Sequence, residues 1–510
     1  MPGLKKYNWR MHGRNEYDRV PEVDLASYKI DAKLLNLIPA SVVRKHNLIP
    51  LFKVGDTLTI AMADPKNISA LDEVRSVTKM DLSVVKAALN DIQDAITEFY
   101  GISGAVDTVI QDYVPPTGKR AKLDVAAEAP IMKLVDVIIS QAIRERASDI
   151  HIEPEAKDLR VRYRVDGVLH EELSLPKHMH APVISRIKIL GNMNIAESRV
   201  PQDGRFEVDQ EGKKVDLRLS SFPSSYGEKM VLRILDKSAM LYELAEIGFS
   251  KENLKKFSAV IRKPHGIVLV TGPTGSGKTT TLYAALSVVN NEELNMVTVE
   301  DPIEYELPGV TQAQVNVKAG LTFASALRSI LRQDPDIIFI GEIRDIETAS
   351  IAIQSAMTGH LVFSSLHTND APGALTRLID MGVEPFLISS SVEAVLAQRL
   401  VRKICDKCVE KIPAPAPVKQ KYPEIKTVNH GKGCKACKNT GYRGRVGIFE
   451  LLIIDEEIRK MITSKVSSDE IRKYAISRGM KTLLEDGMEK VKAGITTIDE
   501  VLRVTELEQI

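Results

Sequence analysis

The chain has 510 residues, which at roughly 150 residues per domain corresponds to three or four domains, each able to bury its own core. Apolar residues make up 44% and charged residues 27%, an ordinary globular composition that excludes a mainly disordered chain. The 69 Lys and Arg against 68 Asp and Glu give a net charge of +1, so the chain lacks the basic excess typical of nucleic-acid-binding proteins, and any anion binding must be local.

The sequence predicts a cytoplasmic protein. No stretch reaches the roughly 18 uninterrupted apolar residues of a membrane-spanning helix, and the polar residues 1–18 do not resemble the core of a signal peptide. The four cysteines form two C-x-x-C pairs. In a reducing compartment such pairs are typical of metal ligands rather than of disulfides.

The first half of the chain predicts two small mixed domains. Residues 1–105 are expected to form an α+β module, because residues 57–62 alternate like a strand and residues 91–100 have helical spacing. Glycines and prolines without either period indicate a linker over 106–128. From 129 to 240, a helix that starts near Pro130 precedes several strand-like stretches, so we expect a second α+β domain.

Residues 241–510 predict a wound, mainly parallel sheet, because short apolar strands alternate with helical segments. The strands are expected at 267–271, 296–300, 337–340 and 361–364. The last sixty residues have helical spacing, and residues 413–417 form a proline-rich spacer.

The most specific motif is a complete G-x-x-x-x-G-K-T that follows the strand at 267–271 and precedes a helical segment. In such a loop, backbone N–H groups surround the phosphates, Lys278 reaches the β- and γ-phosphates, and the Thr279 hydroxyl ligates Mg²⁺. ATP or GTP binding is therefore predicted. The predicted nucleotide-binding residues are Gly272, Pro273, Thr274, Gly275, Ser276, Gly277, Lys278, Thr279 and Thr280.

An acidic residue follows the strand at 337–340, where P-loop enzymes place carboxylates beside the metal and the attacking water. Gly341 occupies the position that is usually acidic, and Glu342 comes next. Glu342 is therefore predicted to position the water or to assist the metal.

Further carboxylates follow the strand at 296–300, namely Glu300, Asp301 and Glu304. Acidic residues at strand ends are typical of α/β active sites. The alternative is that they cap the turn before Pro302.

Two histidines, His360 and His367, bracket the strand at 361–364. Their seven-residue spacing places them on opposite faces of a strand, so strand geometry alone does not let them share a ligand. An imidazole near a γ-phosphate can sense hydrolysis, whereas a lone histidine is more often a surface or core residue.

Taken together, GPTGSGKTTTLY, TVEDPIEY, LRQDPDIIFIGEIRD and GHLVFSSLHTND resemble the motifs of the secretion-ATPase superfamily, which includes the type II secretion ATPase GspE and the type IV pilus assembly ATPase PilB. The resemblance covers roughly residues 125–510. It implies a RecA-like P-loop ATPase domain, an α+β (PAS-like) second domain, a small α+β N-terminal domain and a zinc-binding insertion.

The resemblance also implies catalytic roles. They fall on Glu300, Glu304, Glu342, His360 and His367. Similar proteins form homohexamers in which arginines of the second domain reach the nucleotide, and the motifs place these at Arg218 and Arg233. Nearby, Arg160, Arg162 and Arg164 alternate on one strand, which by itself is typical of a solvated sheet edge.

The cysteine pairs are Cys405/Cys408 and Cys434/Cys437, separated by 25 residues. Four thiolates suit a tetrahedral Zn²⁺ with no open position, so a structural zinc site is predicted over 405–437. Redox-active pairs are the alternative. The family resemblance also points to zinc.

The expected function is a hexameric, Mg²⁺-dependent ATPase that powers pseudopilus assembly in type II secretion, peripheral at the inner membrane. The expected partners are an inner-membrane platform protein and the cytoplasmic domain of a membrane-anchored assembly protein, with no nucleic acid. A short N-terminal region favours secretion over the alternative, type IV pilus extension. A DNA translocase and a nucleotide-gated scaffold are the other classes considered. Residues 1–60 lack the leucine- and glycine-patterned repeats of cyclic di-GMP-binding relatives, so cyclic di-GMP binding is not expected.

Overall fold

A computed structural model describes residues 20–25, 34, 37–99, 129–210, 212–236, 242–415, 419, 423 and 425–505. The predicted linker at 106–128 lies outside these ranges. The chain divides into two compact units, 1–236 and 237–510. The domain boundaries drawn from the sequence stay predictions.

The N-terminal module is built on a three-stranded sheet. Its elements are α1 (Ala40–His46), β1 (Leu48–Val54), β2 (Thr57–Met62), α2 (Ile68–Thr78), β3 (Asp81–Lys86) and α3 (Leu89–Phe99). Strand β2 lies in the middle, antiparallel to β1 and parallel to β3. Apolar residues of the three strands and of α1 to α3 form one buried core.

The second domain is a six-stranded antiparallel sheet with two helices. Its elements are α4 (Ala129–Arg144), β4 (Asp149–Pro154), β5 (Asp158–Val165), β6 (Val168–Pro176), α5 (His180–Leu190), β7 (Gln202–Gln210), β8 (Lys213–Ser224) and β9 (Gly227–Asp236). The strand order is β6-β5-β4-β9-β8-β7. The apolar side chains that alternate along the strands pack with α4 and α5 in one core, which leaves the alternate, polar side chains outside it.

The second unit contains a seven-stranded sheet in the order β12-β11-β13-β14-β10-β15-β18. Its strands are β10 (Gly266–Thr271), β11 (Met296–Glu300), β12 (Thr311–Gln314), β13 (Ile337–Ile340), β14 (Leu361–Leu366), β15 (Val392–Ile404) and β18 (Tyr442–Ile453). All neighbours pair in parallel except β15 and β18. The four predicted strands are β10, β11, β13 and β14, and all four are fully buried.

Helices cover the sheet, and their apolar side chains pack with those of the strands in two separate cores. They are α6 (Lys251–Val260), α7 (Lys278–Val289), α8 (Phe323–Ile330), α9 (Ile346–Met357), α10 (Ala371–Asp380) and α11 (Pro385–Ser391). Four more follow β18: α12 (Glu456–Thr463), α13 (Ser468–Ser477), α14 (Leu483–Lys492) and α15 (Ile498–Thr505). The helical C-terminal region that the spacing predicted is thus present.

The cysteine-bearing excursion lies between the two long antiparallel strands β15 and β18. It holds a small hairpin of β16 (Val409–Pro413) and β17 (Thr427–Gly431). Within the described ranges, no helix has the length and apolar character that crossing a membrane requires.

Candidate active site

The loop at 272–277 connects β10 to α7 and has the backbone geometry of a phosphate cradle. Gly275 and Gly277 have φ of 78° and 86°, in the left-handed region that glycine adopts without strain. A Cβ at Gly272 would lie 2.5 Å from the backbone carbonyl oxygen of Gln398, so this position has no room for a side chain. The hydroxyl of Ser276 is buried and has no hydrogen-bond partner. These features fit a loop whose polar groups bind a phosphate ligand.

Lys278, the first residue of α7, folds back over this loop. Its Nζ donates to the carbonyl oxygens of Gly272 at 2.7 Å and Pro273 at 3.1 Å. Burial lowers the pKa of Lys278 to about 8, with the charge of Arg399 acting in the same direction and that of Glu342 opposing it. The lysine is therefore held at the loop with a weakened affinity for its proton, which an anionic ligand would restore.

Glu342 follows β13 at the same carboxyl edge of the sheet as the loop. Its carboxylate is ion-paired with Arg344 and lies 3.4 Å from Nε2 of His367. Its side chain is 15% exposed. The carboxylate raises the pKa of Arg344 by hydrogen bonding. Lys278, Glu342 and His367 thus all lie at the carboxyl edge of the sheet, beside the phosphate loop.

Close packing against the neighbouring strand explains why a glycine stands before Glu342. A Cβ at Gly341 would lie 3.3 Å from the Cα of Glu300 on the neighbouring strand, which is tighter than ordinary packing. The N–H of Gly341 donates to the carbonyl of Val299 at 2.8 Å. The acidic side chain is therefore displaced by one position, to Glu342.

Glu300, in contrast, is a buried and fully bonded carboxylate, only 2% exposed. It accepts hydrogen bonds from the hydroxyl of Thr298 at 2.6 Å, the side-chain amide of Gln312 at 2.9 Å and the hydroxyl of Tyr283. Both oxygens are occupied, so in this chain Glu300 acts as an anchor. Its predicted catalytic role stays a prediction.

The residues after Glu300 are more accessible. The carboxylate of Asp301 lies 3.9 Å from Arg344. Glu304 is partly buried, and its backbone N–H lies 3.4 Å from the hydroxyl of Tyr283. This loop therefore places two further acidic residues after the anchored Glu300.

The structure separates the two predicted histidines. His367 follows the carboxyl end of β14, beside Glu342. His360 precedes the amino end of β14, roughly 20 Å away along the six-residue strand, where its ring bonds the carbonyl of Ser355 at 2.8 Å. Within one chain, His360 therefore lies away from the phosphate loop, and the catalytic role that the resemblance implies for it stays a prediction.

In the other compact unit, a row of arginines crosses the sheet of the second domain. Paired positions on five adjacent strands hold, in order, Arg164, Asp149, Arg233, Arg218 and Arg205. Asp149 is 7% exposed, and its oxygens lie 3.0 Å from Nε of Arg233 and 3.6 Å from Nε of Arg164. Arg164 and Arg233 thus contact one carboxylate, and Arg218 and Arg205 continue the row on the next two strands.

The interpretation of Arg160, Arg162 and Arg164 as a solvated sheet edge is wrong. Their strand, β5, is an interior strand between β6 and β4. Arg162 donates to both oxygens of Glu153, at 2.7 and 3.0 Å. Although burial alone would raise it, hydrogen bonds from Arg162 and Lys229 lower the pKa of Glu153 to about 2. These arginines are part of a cross-strand charge network.

The four cysteines converge in the second unit, with all Sγ atoms within 4.8 Å of one another. Neighbouring Sγ atoms are 3.9 Å (Cys405 to Cys434), 3.8 Å (Cys408 to Cys437) and 3.7 Å (Cys434 to Cys437) apart. Thiolates about 2.3 Å from a tetrahedral Zn²⁺ lie about 3.8 Å from one another, so the donor set fits zinc. The cysteines form no disulfide.

Two site residues were missed by the sequence analysis, and both lie on β15. Gln398 accepts a hydrogen bond from Thr281 at 2.7 Å, and Arg399 donates to the carbonyl of Asn369 at 2.8 Å. Both are buried beside the phosphate loop. Their signal was two adjacent polar residues directly after the apolar run 394–397.

A glycine loop after a buried parallel strand, with Lys278 and Glu342 at one sheet edge, defines a P-loop ATPase. The fold agrees with the Legionella pneumophila ATPase DotB, with a TM-score of 0.55 and 21% identity over 73% of this chain and 95% of that chain. This likeness confirms the RecA-like fold.

Residues 124–503 match the family model "Type II/IV secretion system protein", and the chain belongs to this family. It is 42% identical over 500 residues to the type IV pilus assembly ATPase PilB of Myxococcus xanthus, covering 95% of this chain and 88% of the relative. It is 44% identical over 515 residues to type II secretion system protein E of Xanthomonas campestris, covering 99% of this chain and 89% of that relative. It is 52% identical to type II secretion system protein E of Aeromonas hydrophila, covering 75% of this chain and 77% of that relative. The expected ATPase activity and secretion or pilus role are confirmed by this membership.

Residues 19–106 match the model of the MshEN domain. The N-terminal module is thus assigned to a domain type. The expectation that it does not bind cyclic di-GMP stays a prediction.

Proposed function

We propose that this protein is the hexameric, Mg²⁺-dependent ATPase that powers pseudopilus assembly in type II secretion. The observation that carries the proposal is the convergence of Lys278 and Glu342 at the phosphate loop of a secretion-family chain. The choice of secretion over pilus extension is part of the proposal, since relatives of both kinds match: type II secretion system protein E of Aeromonas hydrophila at 52% identity over 391 residues and PilB of Myxococcus xanthus at 42% over 500 residues.

The reaction is phosphoryl transfer from ATP to water. Glu342 orients the water and accepts its proton as the oxygen bonds to the γ-phosphorus, and the bond from that phosphorus to the bridging oxygen breaks, giving ADP and phosphate. Lys278 neutralises charge on the β- and γ-phosphates. We infer that His367, whose Nε2 lies 3.4 Å from the carboxylate of Glu342, responds to the loss of the γ-phosphate.

The residues present fit Mg²⁺ and Zn²⁺. Thr279, in the first turn of α7, would hold Mg²⁺ through its hydroxyl, with a carboxylate of the neighbouring strand ends. Mg²⁺, when bound, neutralises phosphate charge. The four cysteines would hold Zn²⁺ as a structural clamp between β15 and β18.

Arg218 and Arg233 are proposed to act on the nucleotide of a neighbouring subunit in the hexamer. The support is that Arg218 and Arg233 occupy paired positions on β8 and β9, with Arg233 held by Asp149. Guanidinium groups from a separate unit would stabilise the transferring phosphoryl group and tie hydrolysis to movement of that unit. Asp149 positions Arg233.

We also propose a peripheral location at the inner membrane, with a platform protein and the cytoplasmic domain of a membrane-anchored assembly protein as partners. The relatives named for type II secretion support this placement. Deleting the gene should abolish export of secreted enzymes while surface pili persist. Loss of pili with normal export would favour the second candidate, pilus extension, which the PilB relatives support.

The enzymatic proposal is tested by Lys278→Ala in the full-length protein. Phosphate release should fall to background, while Lys255→Ala, an exposed lysine on α6, retains wild-type turnover. Wild-type turnover in Lys278→Ala would overturn the assignment.

A further inference from the structure

The residues that follow His367 connect the catalytic edge of the sheet to the phosphate loop. We call residues 367–371 the histidine loop. The backbone N–H of Thr368 donates to the hydroxyl of Thr271 at 2.8 Å, and the two hydroxyl oxygens are 2.7 Å apart. Thr271 is the last residue of β10, directly before the phosphate loop. The histidine loop therefore contacts the base of the phosphate loop at Thr368 and the carboxylate of Glu342 at His367.

Two further bonds tie the histidine loop to the central sheet. Nη2 of Arg399 on β15 donates to the carbonyl of Asn369 at 2.8 Å. The backbone N–H of Ala371 donates to the buried carboxylate of Glu450 on β18 at 2.9 Å. Asn369 and Ala371 are thus fixed to strands of the same sheet that supports the phosphate loop.

Asp370 is bonded differently, because one of its partners lies on a helix that follows β18. Oδ1 accepts a hydrogen bond from the backbone N–H of Gly373 at 2.7 Å, which caps the amino end of α10. Oδ2 is ion-paired with Arg472 on α13, 102 residues further along the chain. The two side chains are 17% and 34% exposed, so solvent screens this pair less than a fully exposed one. One carboxylate thus joins the histidine loop to the C-terminal helices.

Apolar packing anchors α13 independently of this ion pair. Ile471 and Ala475 are buried, and both belong to the core that also contains Leu375 and Leu378 of α10. Arg472 therefore stands next to a buried residue, on a helix whose position the core sets. A guanidinium on such a support restricts the carboxylate that it binds, and with it the loop that carries the carboxylate.

We propose that Arg472 is a positioning residue for ATP hydrolysis. Through Asp370 it holds the histidine loop in the arrangement that places His367 beside Glu342. The proposal rests on the roles proposed above for Glu342 and His367. Without the ion pair the loop keeps its cap and its bonds to the sheet but loses its link to α13. His367 then spends less time at the carboxylate, and fewer bound ATP molecules are in the reactive geometry.

The experiment measures steady-state phosphate release and equilibrium nucleotide binding of the full-length protein. Arg472→Gln should lower kcat by about tenfold. ATP affinity should change less than about twofold, because Arg472 contacts Asp370 and Asp469 rather than the phosphate loop. Asp370→Asn, whose side chain still caps α10, should have the same effect on kcat, and the double variant should lose no more than either single one.

Two further variants separate positioning from a purely structural brace. In His367→Ala the loop no longer places an imidazole, so adding Arg472→Gln should lower the residual kcat by less than about twofold. A structural brace would instead cost about the same factor in both backgrounds. The matched control is Lys473→Gln, which removes an exposed cation from the same helix and should retain kcat.

Three results would overturn the proposal: wild-type kcat in Arg472→Gln, a further loss of about tenfold in the His367→Ala background, or wild-type kcat in His367→Ala itself. If Arg472→Gln does not fold, Asp370→Asn decides by the same criterion. Lys278→Ala is measured in parallel, because undiminished turnover in that variant contradicts the ATPase assignment. Wild-type kcat in Arg472→Gln beside an inactive Lys278→Ala contradicts the positioning role alone, so the two failures are distinguishable.

Discussion

Tyr283 on the phosphate-loop helix donates a hydrogen bond to the buried carboxylate of Glu300 on the neighbouring strand. Its ring also contacts Tyr305 edge-on, at 4.4 Å between centroids, and Phe339 at 6.0 Å. Phe339 lies on β13, and Glu342 follows two residues after the end of that strand. One side chain thus links the phosphate loop, the acidic loop and the strand that carries the predicted base.

Replacing Tyr283 by Phe should lower kcat by about tenfold, because it removes one of the three donors that fix Glu300 and loosens the loop that follows. Nucleotide affinity should change less than about twofold, since no atom of Tyr283 lies in the phosphate loop. Steady-state kinetics and equilibrium nucleotide binding measure the two effects. Tyr305→Phe is the control, and it should retain kcat. An equal loss in both variants would contradict a role for the Tyr283 hydroxyl.

Glu342→Gln should reduce kcat by at least about 100-fold while nucleotide binding persists, because the amide neither accepts the proton of water nor carries charge. Single-turnover phosphate release measures the chemical step. The control is Glu347→Gln, which changes an exposed carboxylate on α9 that is ion-paired with Arg328. A Glu342→Gln enzyme with near-normal turnover would move the base to another residue.

The lowered pKa of Lys278 predicts pH-dependent nucleotide binding. With a pKa of about 8, the lysine is charged below that pH and neutral above it, so affinity should fall as the pH rises through 8. The triphosphate favours the charged form, so binding near pH 9 should take up most of a proton. Calorimetry in buffers of different ionisation enthalpy measures this uptake. Lys278→Arg, whose side chain stays charged, should take up none.

The cysteine cluster predicts one zinc ion per chain. Native mass spectrometry should find it in the wild type and not in Cys408→Ser/Cys437→Ser, whose melting temperature should fall by at least about 5 °C. Metal-free protein with four freely reactive thiols would instead favour the redox reading of the two pairs.

The sequence located the phosphate loop and its strand because both signals are local. The motif fixes the loop, and the continuous apolar run at 266–271 predicts a strand buried on both faces. The same holds for β11, β13 and β14, whose short apolar runs stand between clear turns.

Residues that act through long-range pairing were not predictable in the same way. The pairing of β15 with β18 joins Ala394 to Ile453, and no local pattern specifies that register. Gln398 and Arg399 reach the phosphate loop only because β15 lies next to β10. The arginine row likewise exists only once five strands are in register.

The distance of His360 from the phosphate loop was not predictable from the spacing of the histidines. The spacing argument compared the faces of a strand, whereas the site lies at one end of it. Because His360 and His367 flank a six-residue strand, they lie at opposite ends of the sheet whichever face they occupy. Strand ends, which decide α/β sites, need the strand boundaries as well as the spacing.

The most direct test of the shared site mixes two inactive chains before assembly: Lys278→Ala, with intact arginines, and Arg218→Ala/Arg233→Ala, with an intact phosphate loop. If neighbouring subunits complete each other's sites, random equimolar assembly should restore phosphate release to about a quarter of the wild-type rate. A mixture that releases no more phosphate than its two components measured alone would contradict the account.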